Sequence, residues 1–371
     1  MTECVCAVDI GTTSLKVGLI SLDGDLISLS SAKNVTTDAK FCGANWLETL
    51  RFAFNKLKNK NDCKIVAMCV SGNGPTVVTD KGFTIRWDEE TPFEYDFAQK
   101  DNPCVKFSLF LPKILHLKNC FPDEFSNSKY IFSGPEFVLY ELTGNAVTIL
   151  PEKRFETAYW TTESLSLCDI PVEKMPPFVE IGHCCGKLLD NQKEFLGLEE
   201  NIPIFCGGPD FVMAIIGSGT NSVGDVVDRC GTSEGINICI NKQIFVDGFR
   251  TLPSPFEDLW NISFLIPNSN KLSKEKRVEI AANGIKKIKI ELEKNQITLS
   301  DTMVVSGGQA NDDYLNRLKA KKMKIKIAKS NGCVHAELLG DFCAALKGMG
   351  KFDSILQASK NCIKKVIYED S

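Results

Sequence analysis

The sequence is poor in histidine and has no long apolar run. Only three histidines, His116, His183 and His335, occur in 371 residues, and they lie far apart. This distribution argues against a hydrolase triad or a histidine-rich metal site. No apolar run reaches the roughly 18–20 residues that a transmembrane helix needs. Residues 1–4 are acidic rather than basic, so we expect no secretory signal there.

A positive net charge is also lacking. The chain has 43 Lys and Arg against 47 Asp and Glu, which gives a formal net charge of −4. Such a balance provides no general attraction to nucleic acid or to an anionic membrane, and we expect neither as a partner. The lysine-rich tract at residues 319–326 has no interleaved aromatic residue, which predicts a solvated surface.

The 16 cysteines contain no C-x-x-C pair, so the usual spacing of a zinc or redox site is missing. Free cysteine behaves as a small apolar residue, and cytosolic proteins keep their thiols reduced. We therefore expect most of these thiols to lie in the core of a cytoplasmic protein.

The first half of the chain has a mixed α/β pattern. Apolar runs at residues 5–10 and 16–21 flank a glycine-containing turn and predict two strands. Apolar residues at helical spacing predict a helix at residues 44–58, and residues 64–70 return to a buried-strand pattern. This order differs from a pure Rossmann alternation.

An irregular stretch at residues 151–203, which contains several prolines, separates this half from a second one. The second half repeats the opening layout, with strands that end in glycine-containing loops and a long basic helix at residues 273–294. We predict two similar domains, one at residues 1–202 and one at residues 203–371.

The loop from Asp9 to Ser14 is the first of four loops that could carry chemistry. Gly11 lets the backbone approach a ligand, while the hydroxyls and amides of Thr12 and Thr13 can hold phosphate oxygens. A carboxylate at Asp9 is suited to hold Mg²⁺ through water. The alternative is an ordinary tight hairpin with a polar tip.

The second loop, Gly207-Gly208-Pro209-Asp210, precedes a predicted helix. Asp210 could be a general base that accepts a proton from a substrate hydroxyl, with the glycines giving the substrate access. An aspartate at this place is more often a helix cap, and this loop alone favours the cap.

Two more loops lie in the second half. Gly231-Thr232-Ser233 follows a strand and is either a second phosphate-binding turn or a hairpin. Gly307-Gly308 follows another strand and could place its backbone against an adenine. It is neither a Rossmann fingerprint nor a Walker loop, because G-x-G-x-x-G and G-K-[ST] are absent.

The order and spacing of these four loops resemble those of the FGGY carbohydrate kinases, which belong to the actin-like ATPase superfamily. Further matches are Tyr140-Glu141-Leu142-Thr143-Gly144 and Ala336-Glu337-Leu338-Leu339-Gly340. The resemblance implies an α/β fold with two ribonuclease-H-like domains, each a mixed five-stranded sheet flanked by helices. It also implies a cleft between them that holds ATP, Mg²⁺ and a sugar or polyol.

The resemblance also implies residue roles. Asp210 would be the catalytic base, and Asp9 would position the metal. Lys16 would add positive charge beside the phosphates. The remaining nucleotide-binding residues would be Gly11, Thr12, Thr13, Gly231, Thr232, Gly307, Gly308 and Asn311.

On the sugar side, the resemblance suggests Asn73, Trp87, Asp88 and Gly208. The segment Ser71-Gly72-Asn73-Gly74-Pro75-Thr76 stands where xylulokinase-like members often show Gln-Met-His-Gly. The missing Met and His argue against straightforward recognition of D-xylulose. We expect a sugar or polyol kinase with a pentulose-type substrate. The shared phosphate loops also fit a non-catalytic nucleotide-binding sensor, and a homodimer is left open.

Overall fold

The fold was analysed in a computed structural model of the chain. It describes residues 1–34, 39–58, 60–91, 96, 99, 101–231, 234–267, 269–330 and 332–367.

The chain divides into two compact units. Unit 1 comprises residues 1–210 and 344–349, and unit 2 comprises residues 211–343 and 350–371. The boundary that we predicted between residues 202 and 203 is therefore displaced. The strand Pro203–Pro209 pairs with the strand Cys63–Gly72 of the first sheet, which keeps it in unit 1.

Unit 1 contains a six-stranded mixed sheet among its described residues, in the order β10-β11-β4-β1-β2-β3. The bounds are β1 Thr2–Ile10, β2 Ser14–Ser21, β3 Leu26–Lys33, β4 Cys63–Gly72, β10 Cys184–Lys187 and β11 Pro203–Pro209. β11, β4 and β1 are parallel neighbours, whereas β2 and β3 continue antiparallel. The central strands are apolar along most of their length because both of their faces are buried.

Smaller elements complete unit 1. The short strands are β5 Val77–Thr79, β6 Thr84–Ile85, β7 Ile131–Phe132, β8 Thr148–Leu150 and β9 Phe178–Glu180. The helices are α1 Trp46–Asn55, α2 Pro103–Lys106, α3 Leu111–Cys120, α4 Pro122–Asn127, α5 Gly134–Thr143, α6 Glu156–Tyr159, α7 Thr162–Leu167 and α8 Asp190–Leu196. A capping box of Ser133 and Glu136 begins α5, and Gly144 ends it with a φ of 76°.

Unit 2 contains a seven-stranded mixed sheet in its described part, in the order β14-β15-β13-β12-β16-β17-β18. The bounds are β12 Val226–Cys230, β13 Glu234–Ile240, β14 Arg250–Pro253, β15 Trp260–Ile266, β16 Thr302–Ser306, β17 Lys326–Ser330 and β18 Lys365–Ile367. The helices are α9 Asp210–Ser218, which begins at the last residue of unit 1, α10 Lys274–Lys294, α11 Asp313–Met323, α12 Ala336–Gly348, which ends in unit 1, and α13 Ile355–Cys362.

The long helix predicted at residues 273–294 is confirmed as α10, with Ser273 as its N-cap. Its buried residues Val278, Ala281, Ile285, Ile288 and Leu292 recur at helical spacing, and the last four join the apolar core of unit 2.

Both sheets contain the same five-stranded pattern, in which two antiparallel strands continue into three parallel ones. In unit 1 this pattern is β3-β2-β1-β4-β11, and in unit 2 it is β15-β13-β12-β16-β17. The predicted mixed sheets are confirmed, but five was too few strands for either sheet. Antiparallel edge strands add β10 to the first sheet and β14 and β18 to the second.

All sixteen cysteines lie within the described residues as free thiols, and only Cys120 and Cys184 are exposed. This agrees with their predicted role as small core residues. In the described ranges, no helix is both long enough and apolar enough to cross a bilayer.

Candidate active site

In unit 1, three candidate residues follow the carboxyl ends of three adjacent parallel strands. Gly11 follows β1, Asn73 follows β4, and Asp210 follows β11. The backbone N–H of Asn73 donates to the Ile10 carbonyl at 2.8 Å, and Pro209 pairs with Gly72 in the β11–β4 ladder. Loops at this edge of a parallel sheet are where α/β proteins place ligand sites. The topology therefore brings three of the predicted motifs to one edge.

Asp9 is the last but one residue of β1, directly opposite Lys16 of β2 in the antiparallel register. The Lys16 ammonium donates to Asp9 Oδ2 at 3.0 Å. Asp9 is 2% exposed, and its Oδ1 has no hydrogen-bond partner among the described residues. An orphaned, buried carboxylate oxygen next to a glycine turn fits the predicted contact with a hydrated Mg²⁺.

The backbone of the first loop is held by Asn34, which the sequence analysis did not identify. Its side-chain amide donates to the Gly11 carbonyl at 2.8 Å and to the Thr12 carbonyl at 3.2 Å, and its backbone amide donates to Thr13. Because Asn34 holds three carbonyl groups of this loop by hydrogen bonds, the loop has its conformation before a ligand binds. Nothing in the local sequence signals this contact, because Asn34 comes from the far end of β3.

A chain of hydrogen bonds connects the predicted sugar-side residues to the first loop. The Thr76 hydroxyl donates to Asn73 Oδ1 at 2.9 Å and accepts from the Trp87 amide at 3.2 Å. The Trp87 indole then donates to the Thr12 hydroxyl at 2.7 Å. Asn73 is buried, whereas Trp87 is 38% exposed and does not lie in the core.

Asp88 is bound on both carboxylate oxygens by Arg86, at 2.9 and 2.6 Å. This contact raises the pKa of the Arg86 guanidinium. Lys113 from α3 donates to the carbonyls of Arg86 at 2.8 Å and Glu89 at 3.0 Å, and burial lowers its pKa. Lys113 thus fixes the segment that carries Trp87 and Asp88. Any sugar hydroxyl at Asp88 would share the carboxylate with Arg86.

Asp210 is the first residue of α9, and Gly208 is buried within β11 two residues before it. A carboxylate at a helix N-terminus interacts favourably with the helix dipole, so the capping interpretation of Asp210 and its predicted catalytic role are compatible. Its assignment as the base remains a prediction.

In unit 2, the predicted second phosphate turn, Gly231-Thr232-Ser233, falls between β12 and β13 in the sequence. Gly231 follows the end of β12, while the predicted Thr232 and its neighbour Ser233 lie outside the described residues. Gly307 has a φ of 85°, and a Cβ there would lie 2.9 Å from the Cys230 carbonyl oxygen. Gly308 has open space around its Cβ position. The glycine at 307 is therefore required by the close approach to β12.

A surface cavity of about 480 Å³ lies in unit 2 beside the predicted adenosine residue Asn311. This volume is in the range of small-molecule sites. The cavity is lined by Asn311, Lys329, Ser330, Gly332, Cys333, Val334, His335 and Val366. Gly307 and Gly308, which precede Asn311 at the end of β16, do not line it.

One expectation was wrong. Lys319, which begins the tract predicted to be a solvated surface, has no exposed side-chain area. Its ammonium lies 2.8 Å from Glu234 Oε1 and donates to Asp228 Oδ2. The first part of the tract lies on α11, where a helical turn directs residue 319 inward, while Lys321 and Lys322 are exposed. Local composition cannot reveal that buried carboxylates lie beneath it.

Burial and charge pairing shift the pKa values in this cluster in opposite directions. Burial raises the pKa of Asp228 to about 7 despite the nearby Lys319. For Glu234, burial opposes ionisation, but Lys319 and Arg277 outweigh it and lower the pKa. Burial acts against the Lys319 ammonium, yet Asp228, Cys230 and Glu234 raise its pKa.

The chain is similar in sequence to known carbohydrate kinases. A sequence model of the N-terminal domain of the FGGY family of carbohydrate kinases matches residues 110–217. The xylulose kinase of Staphylococcus xylosus is 24% identical over 334 residues, which cover 76% of this chain and 68% of that protein.

Solved structures share the fold. The ligand-bound xylulose kinase from Lactobacillus acidophilus superposes with a TM-score of 0.74 at 14% identity, covering 99% of this chain and 93% of that one. The Plasmodium falciparum glycerol kinase with ADP has a TM-score of 0.75 at 14% identity, covering 99% and 94%.

The matched segment includes the Gly208–Asp210 loop, and the structural neighbours have the same two-unit α/β architecture as the one described above. Taken with the ordered set of loops, these similarities support the resemblance of the chain to the FGGY family of carbohydrate kinases.

Proposed function

We propose that this chain transfers the γ-phosphoryl group of ATP to a hydroxyl of a sugar or polyol. The observation that carries the proposal is the position of three motifs, the loops of Asp9 and Gly11, of Asn73 and of Asp210, after three adjacent parallel strands. The curated relative from Staphylococcus xylosus is named a xylulose kinase, so a pentulose is the first substrate class to test.

In this mechanism, Asp210 accepts the proton of the attacking hydroxyl while its oxygen bonds to the γ-phosphorus and ADP leaves. Thr12 and Thr13, with the amides of their loop, bind phosphate oxygens. Lys16 supplies a positive charge beside them. Phosphoryl transfer depends mainly on positioning and charge stabilisation, and a loop held by Asn34 suits that requirement.

Asp9 would hold Mg²⁺ through bound water, using the oxygen that Lys16 leaves free. When bound, Mg²⁺ neutralises charge on the phosphate oxygens. On the nucleotide side, Gly231 and Thr232 would bind phosphate oxygens, and Gly307, Gly308 and Asn311 would line the adenosine. Trp87 would present a ring face to the sugar, beside Asn73, Asp88 and Gly208.

The test is a screen of pentuloses, hexuloses and polyols for stimulated ADP release. We expect at least one pentulose to stimulate release strongly. Asp210→Asn should abolish this stimulation and leave ATP binding nearly unchanged, because the base acts on the acceptor. Asp190→Asn is the matched control, since Asp190 also begins a helix but is exposed and belongs to none of these loops.

Normal turnover by Asp210→Asn would contradict the assignment of the base. ATP binding by the wild-type chain without stimulated release by any compound would instead support a non-catalytic nucleotide-binding protein.

A further inference from the structure

Unit 2 contains a buried cluster of four charged side chains, Asp228, Glu234, Arg277 and Lys319. Each of these side chains is at most 3% exposed. Removing four charges from water is costly, and a cluster of this kind is weak evidence for stability alone. The position of the cluster is informative, because Asp228 and Glu234 lie on the two strands that flank the predicted second phosphate turn.

The strands on either side of the turn carry the acidic half of the cluster. Asp228 lies on β12, and Glu234 is the first residue of β13, paired in register with Cys230. Asp228, Cys230 and Glu234 place ligand atoms within 4.8 Å of one another, as a metal site would. The Lys319 ammonium supplies the positive charge there instead, because it contacts both carboxylates and lies 3.1 Å from Cys230 Sγ.

Arg277 of α10 extends the cluster to the adenosine loop, residues 307–311. Its Nε donates to Glu234 Oε2 at 2.8 Å, and its Nη2 lies 2.7 Å from the same oxygen. Its Nη1 donates to the Gln309 side-chain oxygen. The backbone N–H of Gln309 donates to the Cys230 carbonyl at 3.2 Å. One guanidinium therefore connects Glu234, the first residue of β13, to the adenosine loop.

We propose that Arg277 is a positioning residue for the nucleotide, which through Gln309 holds the adenosine loop beside the ends of β12 and β13, the strands that flank the predicted second phosphate turn. The inference rests on the proposed function, in which ATP contacts both loops. A guanidinium presents its donors in a rigid planar fork, whereas an ammonium is a compact charge on a flexible stem. Loops that are fixed in advance lose less freedom when they bind a ligand. The affinity for the nucleotide should thus depend on Arg277, although this residue acts on the nucleotide only through Gln309.

The experiment measures the dissociation constant of ADP by calorimetry, without sugar, together with the free energy of unfolding. Arg277→Lys keeps the buried charge balance and removes the fork. Gln309→Met removes the acceptor with little change in shape. Each should weaken ADP binding about tenfold, as expected for the loss of one charge-assisted hydrogen bond. The neighbouring Lys276→Gln, which is exposed on the same helix, is the control and should bind ADP like the wild type.

The double variant separates positioning from a structural role. If Arg277 acts through Gln309, Arg277→Lys combined with Gln309→Met should bind ADP no more weakly than either single variant. Single variants that bind ADP within twofold of the wild type, even with a lower free energy of unfolding, would overturn the inference. Failure of the wild type to bind ADP would overturn the proposed function itself, so the two failures are distinguishable.

Discussion

The Trp87 indole donates a 2.7 Å hydrogen bond to the Thr12 hydroxyl, so a predicted sugar-binding residue contacts the first phosphate loop directly. The two residues are 75 positions apart in the chain. A sugar stacked on the Trp87 face would therefore adjoin a side chain that is predicted to hold phosphate. Under the proposed function, this contact would couple the recognition of the acceptor to that of the phosphate donor within unit 1.

Removing the indole N–H should reduce the catalytic efficiency while an aromatic face remains. For Trp87→Phe we expect kcat/KM for ATP at saturating sugar to fall about two- to tenfold, which corresponds to one hydrogen bond of about 0.5–1.5 kcal/mol. Thr12→Val removes the other partner. The double variant should lose less than the product of the single losses, and fully additive losses would show that the contact has no functional role.

Asp9→Asn should raise the Mg²⁺ concentration needed for half-maximal rate about 10- to 100-fold, the usual effect of removing an outer-shell metal contact. The reason is the loss of charge at the buried oxygen that has no partner among the described residues. Asp23→Asn, in the exposed turn after β2, should leave the Mg²⁺ dependence unchanged. An unaltered Mg²⁺ titration for Asp9→Asn would contradict this role.

The two glycines of the adenosine loop should differ in their tolerance of a methyl group. Gly307→Ala should lower the free energy of unfolding by at least about 1–2 kcal/mol, because a left-handed residue gains a Cβ 2.9 Å from a carbonyl oxygen. Gly308→Ala should stay within about 0.5 kcal/mol of the wild type, since nothing lies within 4 Å of its Cβ position. Urea denaturation of both variants provides the comparison, and equal losses would contradict it.

The buried Asp228 should make stability depend on pH. Its pKa is about 7 in the folded chain, well above the roughly 3.9 of an unfolded aspartate, so the folded state binds the proton more tightly. This contribution to the free energy of unfolding is complete below about pH 4 and is lost as the pH rises to about 7.

Asp228→Asn imitates the protonated acid and should remove that part of the pH dependence. The measurement is urea denaturation of both proteins between pH 4.5 and 7.5. Asp301→Asn, an exposed aspartate whose pKa is lowered by its hydrogen bond to Lys326, should keep the wild-type slope in this range. Parallel curves for the wild type and Asp228→Asn would show that Asp228 is already ionised at low pH.

The local sequence determined those strands and helices that depend on residues close together in the chain. Alternating and apolar runs predicted the β1–β2 hairpin, and its antiparallel register places Asp9 opposite Lys16 with few residues between them. Helical spacing predicted α10. The recurrence of strand, glycine loop and helix predicted two similar units because each unit repeats the same supersecondary plan.

Tertiary structure decided everything that depends on which distant segments pair. β11 belongs to unit 1 because it hydrogen-bonds to β4, although it follows the irregular stretch that we predicted as the boundary. Lys319 is buried because carboxylates 91 and 85 residues away lie beneath α11, and Asn34 and Arg277 act on loops from other elements. Such contacts form only when packing brings distant segments together, so local sequence patterns do not predict them.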